Sequence, residues 1–212
     1  MRLRKIPGIE NSIREEYPDL VHREPDLLRG TWKERFGNDH PISLEIGMGR
    51  GRFINGMRNA FPDENFVAVE MRNEVIYDAA EKLGNHCPNV AVISGRAEFL
   101  MNWFLPGEVD RIYLNFSDPW PKRAHRKRRL THENYLKLYR QILSEKGEIF
   151  VRTDSASLME FSLTEMTNHG FSLTEVSFDF HNSDYFDGIT TEYEEKKSKE
   201  GPIYYARFSL MK

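Results

Sequence analysis

The chain has a single cysteine, Cys87, in 212 residues. One thiol can close no internal disulfide and build no thiolate metal cluster, and such usage fits a reducing cytoplasm. No apolar run approaches the roughly 18 residues that a membrane span requires. The basic start at Arg2, Arg4 and Lys5 is not followed by an apolar h-region, so a secretory leader is not expected. Neither sign of charge prevails, with Lys+Arg 30 against Asp+Glu 33 and a formal net charge of -3. The charge total therefore gives no footprint for nucleic acid, and only its distribution can give one. His22, His40, His86, His125, His132, His169 and His181 are scattered without a short ligand spacing, so no metal is expected. The serines lack the glycine-flanked setting of a nucleophile elbow. Internal repeats and low-complexity tracts are also missing.

With 39% hydrophobic residues the chain can bury one good core. Residues 1–40 are polar, carry Pro7, Pro18 and Pro25, and predict one helix over Asp26–Phe36. They read as an N-terminal basic extension to a domain spanning 41–212. From Pro41 onward strands and helices alternate. Strands are expected at Ile42–Ile46, Asn65–Glu70, Val90–Ser94, Arg111–Asn115 and Gly147–Thr153. Helices are expected at Arg50–Ala60, Asn73–Leu83, Ala97–Phe104, Glu133–Leu143 and Leu158–His169. Phe171–Phe180 and Pro202–Leu210 close the chain as an antiparallel hairpin around an acidic, aromatic excursion. The pattern predicts an α/β, Rossmann-like fold: a mostly parallel seven-stranded sheet with helices on both faces.

The first strand runs into Gly47-Met48-Gly49-Arg50-Gly51-Arg52. Glycines at a strand-to-helix junction permit tight turning and close approach of a nucleotide-like ligand. Arg52 stands where a dinucleotide fingerprint has its third glycine, and Glu45 lies two residues before Gly47. A carboxylate there repels a pyrophosphate and attracts a cation. S-adenosylmethionine carries an ammonium and a sulfonium and no phosphate. Glu70 ends the second strand, where an acid accepts ribose hydroxyls. This arrangement resembles the class I, Rossmann-like methyltransferases. The resemblance implies that adenine is held where Ser94-Gly95-Arg96-Ala97 ends the third strand, although such enzymes tend to carry Asn or Asp at the position of Arg96. An arginine side chain cannot accept from the adenine amino group, which leaves the backbone of Arg96 and Ala97 as the contact.

After the fourth strand comes Asn115-Phe116-Ser117-Asp118-Pro119-Trp120-Pro121, and then six Lys/Arg between Lys122 and Arg129. The prolines stiffen the turn that presents Asp118 and the indole. A ring beside a carboxylate suits a base, and a basic stretch beside both suits phosphates. Asn115–Arg129 with Leu130-Thr131, Val151-Arg152-Thr153-Asp154 with its strand-end Thr-Asp, and the segment Thr191-Glu192-Tyr193-Glu194 resemble, in order, motifs of the bacterial tRNA (guanine-N7-)-methyltransferases.

The resemblance implies that Glu45, Gly47, Gly49, Glu70, Arg96, Ala97 and Asp118 bind S-adenosyl-L-methionine, with Asp118 also catalytic. It implies that Lys122, Asp154, Thr191, Glu192, Tyr193 and Glu194 contact the target guanine nucleotide. Ala124, His125, Arg126, Lys127, Arg128 and Arg129 are implied to meet the tRNA. The expected reaction forms N7-methylguanosine in the tRNA variable loop, in the cytoplasm, by a monomer or a homodimer. Three other readings compete: an amino-directed methyltransferase of adenine or cytosine, a nicotinamide-dependent oxidoreductase, and a noncatalytic RNA-binding module.

Overall fold

The computed structural model describes residues 6–211 of the chain, so Arg2, Arg4 and Lys5 lie outside the described residues. Among the described residues, eight strands form one sheet. They are β1 (Val21–His22), β2 (Ile42–Ile46), β3 (Asn65–Glu70), β4 (Val90–Ser94), β5 (Val109–Asn115), β6 (Leu143–Thr153), β7 (Phe171–Ser177) and β8 (Tyr204–Leu210). Their spatial order is β1-β4-β3-β2-β5-β6-β8-β7. All pairings from β1 through β6 are parallel, and β8 pairs antiparallel with both β6 and β7.

The chain leaves β2 towards β3 on one side and later returns to β5 on the other. That reversal opens a crevice at the carboxyl ends of β2 and β5, the place where open α/β sheets bind ligands. Residues alternate across the sheet. Leu44, Ile46, Val67, Val69, Ile112, Leu114, Ile149 and Val151 enter one core with Trp103, Leu136 and Tyr139. Phe66, Ala68, Val92 and Tyr113 enter the other. That second core is covered by α3 (Arg52–Ala60) and α4 (Asn73–Leu83) through Phe53, Ile54, Ile76 and Ala79. Since Leu44 and Ile46 face the first core, the intervening Glu45 points under α3.

The sequence predicts seven strands, and the additional one is β1. Its two residues pair as Val21↔Val92 and His22↔Ile93. Two residues are too few to leave an alternating pattern. The expected helix over Asp26–Phe36 is two pieces, a 3-10 turn at Pro25–Leu28 and α2 (Trp32–Phe36), separated by Gly30 with φ 80. The expected helix at Ala97–Phe104 is likewise a 3-10 turn at Ala97–Phe99 followed by α5 (Leu100–Trp103). Before β1, α1 (Ile9–Glu16) buries Ile9 and Ile13 in the core of α3 and α4. The remaining helices are α6 (Glu133–Ile142), α7 (Ala156–Asn168) and α8 (Glu192–Lys197), the last lying inside the acidic excursion. Among the described residues, no helix is long and apolar enough to cross a membrane.

Candidate active site

A cleft of about 770 Å³ opens at the carboxyl ends of the central strands, lined among others by Gly47, Glu70, Arg96, Ala97, Phe116 and Asp118. Of the strand end and glycine loop, Ile46 and Gly47 line it, whereas Gly49, expected to bind the cofactor, lies outside the lining. The amide of Gly47 donates to the carbonyl of Val69 at 2.8 Å, which folds the chain back over β3. Gly51 caps α3 with φ 78, and a Cβ there would lie 2.9 Å from the Ala79 Cβ. The loop therefore sits directly on α4. Lys82 of α4 also donates to the carbonyl of Arg50 at 2.8 Å.

Glu45 is buried, with 1% of its surface exposed. Its Oε1 accepts from Asn115 Nδ2 at 3.0 Å. Burial pushes its carboxyl up to about 8, opposed by the Asn115 bond and by the positive charge of Arg152. Glu45 Oε2 and Asn115 Oδ1 are both buried and have no partner among the described residues. Two acceptors left without donors beside the glycine loop fit a ligand that brings N–H groups and positive charge.

Glu70 Oε1 accepts from the amides of Met71 and Arg72 at 2.9 and 3.1 Å, which fixes the carboxylate at the cleft wall. Burial still raises its pKa, against the opposing effect of those amides. Arg96 does not extend across the cleft: its Nη2 pairs with Glu98 Oε1 at 2.9 Å. Ala97 is buried at the start of the 3-10 turn. Both residues line the cleft wall.

The acidic turn is held in an unusual conformation. Phe116 and Trp120 are the non-glycine residues with positive φ among the described residues, at 51 and 41. Bulky side chains rarely occupy that region, and such strain concentrates at functional sites. The amide of Phe116 is tied to the carbonyl of Arg152 at 2.8 Å. Asp118 is exposed on the cleft side, beside Trp120 and Arg128. The Arg128 guanidinium lies 4.8 Å from the Trp120 ring centroid, and His125 meets the ring edge-on at 5.7 Å. Lys122, Ala124, Arg126, Lys127 and Arg128 are exposed on the 3-10 turn Arg123–Arg128 and its approach, whereas Arg129 is buried.

The C-terminal segment divides into supporting and presenting residues. Thr191 and Glu194 form a reciprocal capping box that starts α8. Glu194 is fully buried, accepts from His181 Nε2 at 2.9 Å and lies 3.7 Å from Arg152 Nη1. Its oxygens are thus turned into the protein. Tyr193 is exposed, packs 5.2 Å from the Phe116 ring and donates to Asp154 Oδ2 at 3.2 Å. Glu192 is paired with Lys82.

Arg152 is a buried hub that the sequence does not mark. It donates to the carbonyl of Ile189 at 2.7 Å and to Asp187 at 2.6 Å, between the rings of Phe53 and Phe180. An arginine between Val151 and Thr153 in a buried strand is the only trace it leaves in the sequence.

A family model described as "Putative methyltransferase" matches residues 39–206. A tRNA (guanine-N(7)-)-methyltransferase of Bacillus cytotoxicus is 48% identical over 97% of this chain and 94% of its own length. One from Streptococcus mutans is 44% identical over 98% of this chain and 100% of its own length. Solved structures agree on the fold. An antibiotic-related methyltransferase superposes with a TM-score of 0.64 at 15% identity, covering 86% of this chain and 94% of that one. A 16S rRNA (adenine(1408)-N(1))-methyltransferase mutant with its cosubstrate SAM gives 0.61 at 12% identity, covering 90% and 93%. High identity over nearly the whole length, with Glu70 and Asp118 lining one crevice and Glu45 buried behind it on Asn115, leads to one assignment: the chain belongs to the tRNA (guanine-N(7)-)-methyltransferase family.

Proposed function

We propose that this protein methylates N7 of a guanine in the tRNA variable loop, with S-adenosyl-L-methionine as donor, in the cytoplasm. The observation that carries the reading is the sharing of one crevice: Glu70 and Asp118 line it, Glu45 is buried behind its lining residue Asn115, and a basic run follows Asp118. Glu45 and Asn115 would hold the cationic amino acid end of the donor, Glu70 its ribose, and the backbone of Arg96 and Ala97 its adenine. When bound, S-adenosylmethionine supplies an electrophilic methyl group on a sulfonium.

Guanine N7 has an in-plane lone pair and carries no proton, so the reaction needs no general base. Alignment and electrostatics remain for the protein to provide. Asp118 faces the cleft where the purine gains positive charge, and we assign it an orienting and electrostatic role. Tyr193 packs against Phe116 and bonds Asp154, and the two suit the face and Watson–Crick edge of a guanine. Lys122 and Glu192 are assigned contacts to the same nucleotide, while Thr191 and Glu194 act by fixing α8. Lys122 through Arg128 supply phosphate contacts, sequence-independent and salt-sensitive.

The experiment is incubation with labelled S-adenosylmethionine and unmodified tRNA, followed by nucleoside analysis. N7-methylguanosine is the expected product. Its absence under conditions of demonstrated donor binding overturns the reading. Methylated adenine or cytosine would favour the amino-directed alternative, and binding of tRNA without turnover would favour the RNA-binding module.

A further inference from the structure

The basic run is not uniform. Arg126, Lys127 and Arg128 face solvent, but Arg129 is 8% exposed and turns inward. Its Nε donates to the carbonyl of Pro119 at 2.9 Å and its Nη2 to the carbonyl of Trp120 at 3.2 Å. The guanidinium lies 4.4 Å from the ring centroid of Phe161 on α7, and His132 stacks on that same ring. The two successive carbonyls and the aromatic face hold the Nε and Nη2 side of the fork inward, and with 8% of the residue exposed little of it is open to a phosphate.

The carbonyls it holds belong to the two residues that follow Asp118. This stretch has little means of holding itself. Pro119 and Pro121 have no amide hydrogen to donate. Trp120 has φ 41, a region that a bulky residue leaves unless its surroundings fix it. The Arg129 fork therefore supplies bonds that the turn's own backbone cannot. It also refers the position of Asp118 to α7, an element on the far side of the loop.

We propose that Arg129 is a positioning residue for methyl transfer, holding the Asp118–Trp120 turn in register, and not a phosphate contact like its neighbours. The proposal rests on the methyltransferase reading above. It separates one arginine from a run whose other members act through net charge.

The test compares Arg129→Met and Arg129→Lys with Arg126→Met in the full-length protein. Affinity for unmodified tRNA is measured across a salt series, and the methylation rate is measured at saturating tRNA and donor. Removing a phosphate contact lowers the slope of log affinity against log salt by about one. Arg126→Met is expected to do so. Arg129→Met is expected to leave the slope at the wild-type value while the saturated rate falls at least tenfold. Arg129→Lys keeps the charge but loses the fork, so its rate should follow Arg129→Met and not the wild type.

A reduced salt slope in Arg129→Met, or a normal saturated rate, overturns the proposal. So does a loss of rate that only matches the folded fraction measured by circular dichroism. If Arg129→Met does not fold, Arg129→Lys carries the test, and a wild-type saturated rate in that variant overturns it. Wild-type protein that forms no N7-methylguanosine refutes the functional reading instead, and the salt-slope comparison of Arg126 and Arg129 still stands.

Discussion

Asn115 donates to Glu45 at 3.0 Å across the neighbouring strands β5 and β2, and each side chain keeps one buried oxygen without a partner. The pair is half of a site. It joins the turn that carries Asp118 to the strand that leads into the glycine loop. On the proposed reading, the ammonium end of the donor would complete it and draw the Glu45 proton off.

The first prediction concerns pH. Burial holds the Glu45 carboxyl up at about 8, so near neutrality binding of a cationic donor must release a proton. Affinity for S-adenosylmethionine should rise with pH towards about 8 as Glu45 ionises, and fall above it as the donor's own α-amino group, of pKa roughly 7.7–8.0, loses its charge. Glu45→Gln serves as the reference: it should lose the rise and keep the fall, binding more weakly near pH 8. Calorimetry in buffers of different ionisation enthalpy measures the released proton directly. The ligand-free protein responds with the opposite sign. A carboxyl whose folded pKa lies above its ordinary value near 4.5 binds more protons folded than unfolded in that window. Stability then falls as pH climbs from about 4.5 to 8, and Glu45→Gln should flatten that fall.

A second prediction separates two glycines in the same loop. Gly47 has φ 83 with nothing near its missing Cβ, whereas Gly51 has φ 78 with Ala79 at 2.9 Å. Gly47→Ala should cost only backbone strain, about 1–2 kcal/mol. Gly51→Ala adds a collision with α4 to a similar strain and should cost about 1–3 kcal/mol more. Thermal melts of both variants check the order, and equal losses would contradict the contact with α4.

Much of this site is legible in the chain because its chemistry is local. The glycine loop, Glu70 and the Asp118 turn each follow a strand, and strand ends in an alternating α/β pattern converge on one crevice. What the chain hides comes from side chains meeting across long separations. Glu194 sits in a motif that suggests contact with a base, yet its carboxylate is used by Thr191, His181 and Arg152. Arg129 ends a basic run, yet it bonds ten residues back into the turn. A charge pattern read in one dimension cannot tell a solvated arginine from one folded beneath a loop. The strand β1 escaped for a simpler reason, since two residues carry no periodicity.

The third prediction follows from the buried charges. Arg152 offsets Glu194, which is fully buried, and also binds Asp187 and the carbonyl of Ile189. Removing one partner of a buried ion pair strands the other and costs about 3–5 kcal/mol. Arg152→Met should lose that much in urea denaturation. The double variant Arg152→Met with Glu194→Gln should recover part of it, because the stranded charge is gone. No recovery would mean that the loss comes from packing between Phe53 and Phe180 alone.

The last prediction separates binding from chemistry at Asp118. Asp118 is an exposed residue of the cleft, while Glu70 is built into its wall and Glu45 lies buried behind Asn115. Asp118→Asn keeps the shape and removes only the charge. If that charge acts on the positive purine formed during transfer, the loss appears in turnover, where stabilising groups act, and little in the ground state. Removing a preorganised electrostatic group typically costs about 10²–10³ in kcat. Donor affinity of Asp118→Asn should stay within about threefold of wild type while the single-turnover rate falls by that much. Since N7 has no proton to lose, the variant's rate should show no new dependence on pH near neutrality. A selective loss of donor affinity, with normal turnover once saturated, would instead make Asp118 a binding residue and leave the chemistry to alignment alone.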